Sequence, residues 1–148
     1  ALGLVVWAVE CWDAYPEKVV AERAAEVVTP AAGETVWFTG HWGFHYYADR
    51  HGMRHYESGR TALRKGDWLV LPVMPDLDGF YRPWPPDREL PKPTMDVEPV
   101  AELVWDDWLS AQTIPNLHGG SCPLKGRDAP RLRVAVYRVR ADWGPLRE

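Results

Sequence analysis

The sequence is poor in cysteine, in basic runs and in recognisable catalytic motifs, and each shortage removes a class of function. Its two cysteines, Cys11 and Cys122, form neither a CxxC pair nor a zinc-ligand spacing. Spacing neither pairs them nor keeps them apart, so one disulfide and two free thiols both stay open. The net charge is −4, and no cluster of Lys and Arg marks a nucleic-acid surface. Arg131, Arg133, Arg138 and Arg140 come closest. They alternate with apolar residues and read as the outer face of a strand. The chain contains no phosphate-binding glycine fingerprint, no nucleophile elbow and no HExxH metalloprotease signature. Ser121 beside Cys122 has no evident base, which nucleophilic catalysis needs.

Long hydrophobic runs are also scarce. The clearest is Ala1 to Val9, ALGLVVWAV. As a helix it would extend about 13 Å, against roughly 30 Å for a bilayer core. It lacks the basic start and small-residue cleavage site of a signal peptide. Two readings stay open: the start of a buried strand or helix, or the last turns of a transmembrane helix. Trp7 and Trp12 near the polar boundary suit a membrane interface. The expected division is therefore 1–12 as the end of an apolar segment and 13–148 as one α/β domain.

What is present fits that domain. The chain has 148 residues, 46% hydrophobic and 26% charged, which is ordinary globular composition and enough for one core. Nine Trp offer large apolar surfaces, and 14 Pro predict long irregular connections. Asp13 to Val28 predicts a helix, with Pro16 in its first turn and Asp13 and Glu17 at the positive end of its dipole. Its apolar stripe is Val19, Val20, Ala24, Val27 and Val28, with Glu17 off it. Thr35 to Thr39 predicts a buried strand, His41 to Arg50 a helix, and Met53 to Glu57 a short strand. Trp68 to Leu71 predicts another buried strand, stopped by Pro72. Two apolar strands flanking a helix favour parallel pairing in a sheet covered on both faces. Eight prolines between Pro72 and Pro99 predict a long loop. Val100 to Trp105 and Leu132 to Val139 predict two more strands, the latter near a sheet edge. The expected fold is a small, mainly parallel or mixed sheet with flanking helices, Rossmann-like, with a Pro-rich loop over 72–99.

Candidate chemistry concentrates in Gly40 to Glu57, which holds four of the five histidines. His41 and His45 stand four apart, so a helix places them on one face, and Asp49 can join His45 there. Such spacing suits a divalent metal on His41, His45 and Asp49. The blander reading has His41 packed at the helix start while Trp42, Phe44, Tyr46 and Tyr47 fill the core. Gly40 sits where phosphate binders keep an anion site, although one glycine more often marks a tight turn. Asp76-Leu77-Asp78 has the form of a metal–nucleotide DxD motif; in a Pro-rich loop it reads as a solvated turn. Ligands of open α/β sheets bind at the C-terminal ends of strands. The expected crevice is therefore Gly40, His41 and Trp42 beside the Pro72–Asp78 segment, with Asp76 near His41.

VWFTGHWGFHYYADRHGM (Val36 to Met53), followed by GDWLVLP (Gly66 to Pro72), resembles the C-terminal soluble domain of bacterial membrane glycosyltransferases. These are the protein-mannosyltransferase-like enzymes (family 39) with the multi-spanning GT-C fold. Thr113 to Gly120, Arg131 to Val139 and the entry from Ala1 to Glu26 are similar to the same proteins, so the likeness runs along nearly the whole chain. Where that family has Gln after GHWGF, this chain has His45. The resemblance implies a parent enzyme that uses a polyprenyl-phosphate sugar donor, with this domain on the extracytoplasmic side of the cytoplasmic membrane. It implies no catalytic residue here, because the family's catalytic acid lies in an early loop between membrane helices. The implied partners are the parent's own transmembrane region and a lipid-linked sugar or acceptor. From the residues alone, a free-standing small-molecule or metal-binding α/β protein and a protein-interaction module remain alternatives.

Overall fold

A computed structural model describes residues 2–40, 42–57, 59–75, 81–83, 95–106 and 132–144. Its elements in chain order are helix α1 (Leu2–Val27), strand β1 (Val36–Phe38), helix α2 (Trp42–Arg50) and strand β2 (Arg54–His55). Strands β3 (Trp68–Pro75), β4 (Tyr81–Pro83), β5 (Val97–Trp105) and β6 (Leu132–Val139) follow. The strands form one mixed sheet in the order β2-β1-β3-β6-β5, with β4 added beside β3. β1 pairs parallel with β2 and with β3, as the β1–α2–β2 crossover requires. β6 runs antiparallel to both β3 and β5.

Alternation along the strands divides the core in two. On one face Val36, Phe38, Trp68, Val70, Leu132, Val134 and Val136 pack with Val20, Ala21 and Ala24 of α1, with Val28 just after it, and with Phe44 and Ala48 of α2. On the other, Leu69 and Val139 pack with Tyr56, Leu63 and, less buried, Trp37, Tyr137 and Trp143. Both described helices therefore cover the same face. The sheet is mixed and α/β, but it lacks the helix-on-each-face layering of the Rossmann-like arrangement among the described residues.

Three expectations need correction. α1 begins at Leu2, not Asp13, and carries Pro16 inside it. Pro16 lacks the N–H that would reach Trp12, a loss of about 3 kcal/mol in an unsupported helix. Its side chain is fully buried, and that packing offsets the missing bond. Pro72 does not stop β3, which continues to Pro75. β1 pairs with β3 only as far as Val70, so an absent N–H at Pro72 breaks no β1–β3 bond. The 72–99 loop is shortened accordingly by β3, β4 and the start of β5. β6, expected near an edge, lies next to the edge strand β5, and its partly buried Arg133 and Arg138 pair with Glu102 and Glu34.

Candidate functional site

The parallel strands define two edges of the sheet. β1 and β3 end at the same edge, and β5 ends there too because it is antiparallel to β6. This edge carries Gly40, Pro72 and Trp105. Gly40 has φ +113°, and a Cβ there would stand 2.8 Å from Cγ of Pro72. Gly40 and Pro72 do come together as the sequence suggested, with glycine required by both conformation and space. His41 and the Asp76–Asp78 segment lie outside the described residues. Trp42 opens α2, but its side chain is also outside the description.

The N-terminus of α2 is already occupied. Glu17, mid-way along α1 and only 8% exposed, accepts a 3.1 Å hydrogen bond from the Phe44 N–H and a further bond from the Gly43 N–H. These are the orphan amides of the first turn of α2. The carboxylate therefore fills the position where the sequence allowed an external anion. Gly43 makes the approach feasible, since a Cβ there would stand 2.2 Å from Oε2 of Glu17. Burial raises the Glu17 carboxyl to about 7, with the two amides opposing the rise. Sequence reasoning left Glu17 off the apolar stripe. Its actual role depends on a contact 27 residues away that helical periodicity cannot register.

The histidines meet differently from their sequence spacing. His45 reaches Asp49 at 3.2 Å, on the shared helix face as expected. Its ring stacks on His55 of β2, not on a helical neighbour, with centroids 4.7 Å apart and planes 11° apart. Phe38 meets both rings edge-on, at 5.1 and 5.3 Å. Among the described residues no group of three His, Cys, Asp or Glu side chains is placed to hold a metal. The proposed trio also needs His41, which lies outside the description. Of the aromatics assigned to the core, Phe44 is buried, whereas Tyr46 is 55% exposed and accepts a bond from Arg50.

The opposite edge is polar and tightly tied. Asp67, 3% exposed, accepts from the Thr35 and Arg64 N–H groups and from Trp37 Nε1, all within 2.9 Å. Arg138 pairs with Glu34 and lies over the Trp68 ring at 4.8 Å. Arg140 pairs with Glu98 at 3.0 Å. An open groove of about 660 Å³ runs here between Glu34, Lys65, Asp96, Arg138 and Arg140. The sequence offered no signal for it, because its walls come from four separate segments.

α1 links the edges and continues past one of them. From Glu17 onward it lies on the sheet. Before Glu17 it leaves the domain, and Leu4, Val5, Trp7, Trp12 and Tyr15 are exposed at 71, 60, 62, 39 and 48%. At 100° per residue the exposed Leu4, Val5, Trp7 and Ala8 cover an arc of about 160°, and the run Leu2 to Val9 contains no polar side chain from which a polar face could be made. Among the described residues, no helix is long and apolar enough to cross a membrane. Compared with protein-family models, curated proteins and solved structures, the chain matches none.

Proposed function

We propose that this chain is a membrane-tethered accessory domain of a glycosyltransferase that uses a polyprenyl-phosphate sugar donor, lying on the extracytoplasmic side and not catalytic by itself. The observation that carries the tether is the first half of α1, where Leu4, Val5, Trp7 and Ala8 are exposed within a run, Leu2 to Val9, that has no polar side chain, while the same helix packs into the core from Pro16 onward. Water is a poor solvent for such a segment, and a groove in a protein would cover only one side of it. Trp7, Trp12 and Tyr15 supply the aromatic residues that favour a lipid–water boundary.

The glycosyltransferase assignment rests on the resemblance, and the placement of its most specific stretch bears on the role. Within GHWGF, Gly40 seats against Pro72, Gly43 against Glu17, and Phe44 in the core. These are scaffold duties, which suit a supporting domain better than a catalytic one.

The test uses membranes from cells expressing the intact gene product and a radiolabelled polyprenyl-phosphate sugar. Transfer by those membranes, with none by the 148-residue chain alone, is expected. Transfer by the isolated chain, or no transfer by the membranes with any polyprenyl-phosphate sugar tried, would overturn the proposal.

A further inference from the structure

Resting on the membrane tether proposed above, we infer that the Gly40 edge of the sheet faces the lipid surface and the Glu34 edge faces away from it. The inference names which part of the domain a lipid-linked molecule can meet.

The direction of α1 carries the argument. Glu17 bonds to Phe44 at the Gly40 edge, and Tyr15 packs edge-on against Trp105, the last residue of β5, at 5.8 Å. Both contacts fix the middle of α1 at that edge. Its C-terminal end lies toward the other: Val28 joins the core, Ala31 donates to Glu34, and Glu34 pairs with Arg138. α1 therefore runs opposite to β1 and β3, and its exposed first half projects beyond the Gly40 edge. Residues 2–14 add about 20 Å of helix at 1.5 Å per residue. Trp12 stands only about 8 Å along the axis from Glu17, so a boundary at Trp12 brings the Gly40 edge within reach of lipid headgroups.

The helix is held as a strut rather than a swivel. Pro16 and Glu17 are both buried, and Arg23 lies over Trp105 at 5.6 Å, so α1 is fastened on both sides of its exit point. Pro75, Trp105 and Leu132, the described strand ends from which the chain leaves or enters, lie at this same edge. The charged groove belongs to the far edge and is removed from the lipid surface.

The experiment places a single fluorescent label on the 148-residue chain with Cys11 and Cys122 replaced by alanine. The near-edge label goes at Asp106→Cys, and far-edge labels at Lys65→Cys and Ala32→Cys; all three positions are exposed. Vesicles of equimolar phosphatidylethanolamine and phosphatidylglycerol carry a nitroxide on the headgroup. Near-edge quenching should exceed far-edge quenching at least about threefold, because strands rising ~3.3 Å per residue set the edges about 20 Å apart. Equal quenching, or stronger quenching at Lys65 and Ala32, in chains that do bind the vesicles overturns the orientation and leaves the tether standing. Failure to sediment with vesicles, with no blue shift of tryptophan emission, overturns the tether and this inference with it.

Discussion

Glu17 and Asp67 are two nearly sealed carboxylates at opposite edges of one sheet, and they are satisfied to different degrees. Asp67 receives three donors, two from backbone N–H groups and one from an indole, and closes the turn that starts β3. Glu17 receives two amides and, among the described residues, no charged partner, and burial outweighs the amides, so its carboxyl rises to about 7. The difference teaches that burial alone does not define the role of an acid. The number of directed donors decides how fully a buried carboxylate is compensated for the water it has lost.

Removing the better-satisfied acid should have the largest effect. Asp67→Ala strands the Thr35 and Arg64 amides and the Trp37 indole, and should lower unfolding stability by about 4 kcal/mol in urea titrations. A loss comparable to that of an ordinary surface substitution would remove the distinction between the two acids.

Glu17 should reveal itself through pH. Its folded value, about 7, lies above its ordinary value of 4.5. The folded state therefore binds the proton more tightly. The associated stability is complete below pH 4.5 and is lost as pH rises to about 7, a change of about 3 kcal/mol. Glu17→Gln should flatten that part of the stability–pH curve and be the more stable protein at pH 8. Parallel curves for the two proteins would refute the assignment.

Gly40→Ala comes next, at about 2 kcal/mol, from a positive φ and the rigid Pro72 ring 2.8 Å away. Thermal unfolding measures it. Gly52→Ala provides the control: it has a comparable positive φ, +76°, but nothing within 4 Å of the added carbon, and should cost less. The smallest effect belongs to Glu34→Gln, about 1 kcal/mol, since its Arg138 partner is one-third exposed. Added salt should narrow the gap between Glu34→Gln and the parent protein.

Much of the fold was legible. Val36–Phe38, the helix before Arg50, the apolar start of β3 and the alternation of β6 all follow from local pattern, and the parallel pairing of β1 with β3 follows from crossover geometry. The misses share a cause. Pro72 looks like a terminator because proline lacks a donor, yet whether a donor is needed depends on where β1 ends. Pro16 looks like a first-turn residue, yet its burial lets α1 run through it from Leu2. The candidate site was legible in part: Gly40 beside Pro72 and His45 with Asp49 were readable, whereas the His45–His55 stack required β2 to fold back beside β1.

By itself the sequence determined the broad α/β class and an apolar entry, because composition and hydrophobic periodicity are properties of neighbouring residues. Only the tertiary structure decided that α1 is one helix leaving the domain at the Gly40 edge, and that Glu17 caps α2. It also decided that Glu34, Lys65, Asp96, Arg138 and Arg140 meet around one groove at the far edge. Those features depend on which distant backbone amides and side chains are brought within hydrogen-bond reach of each other, and helical or strand periodicity carries no record of that.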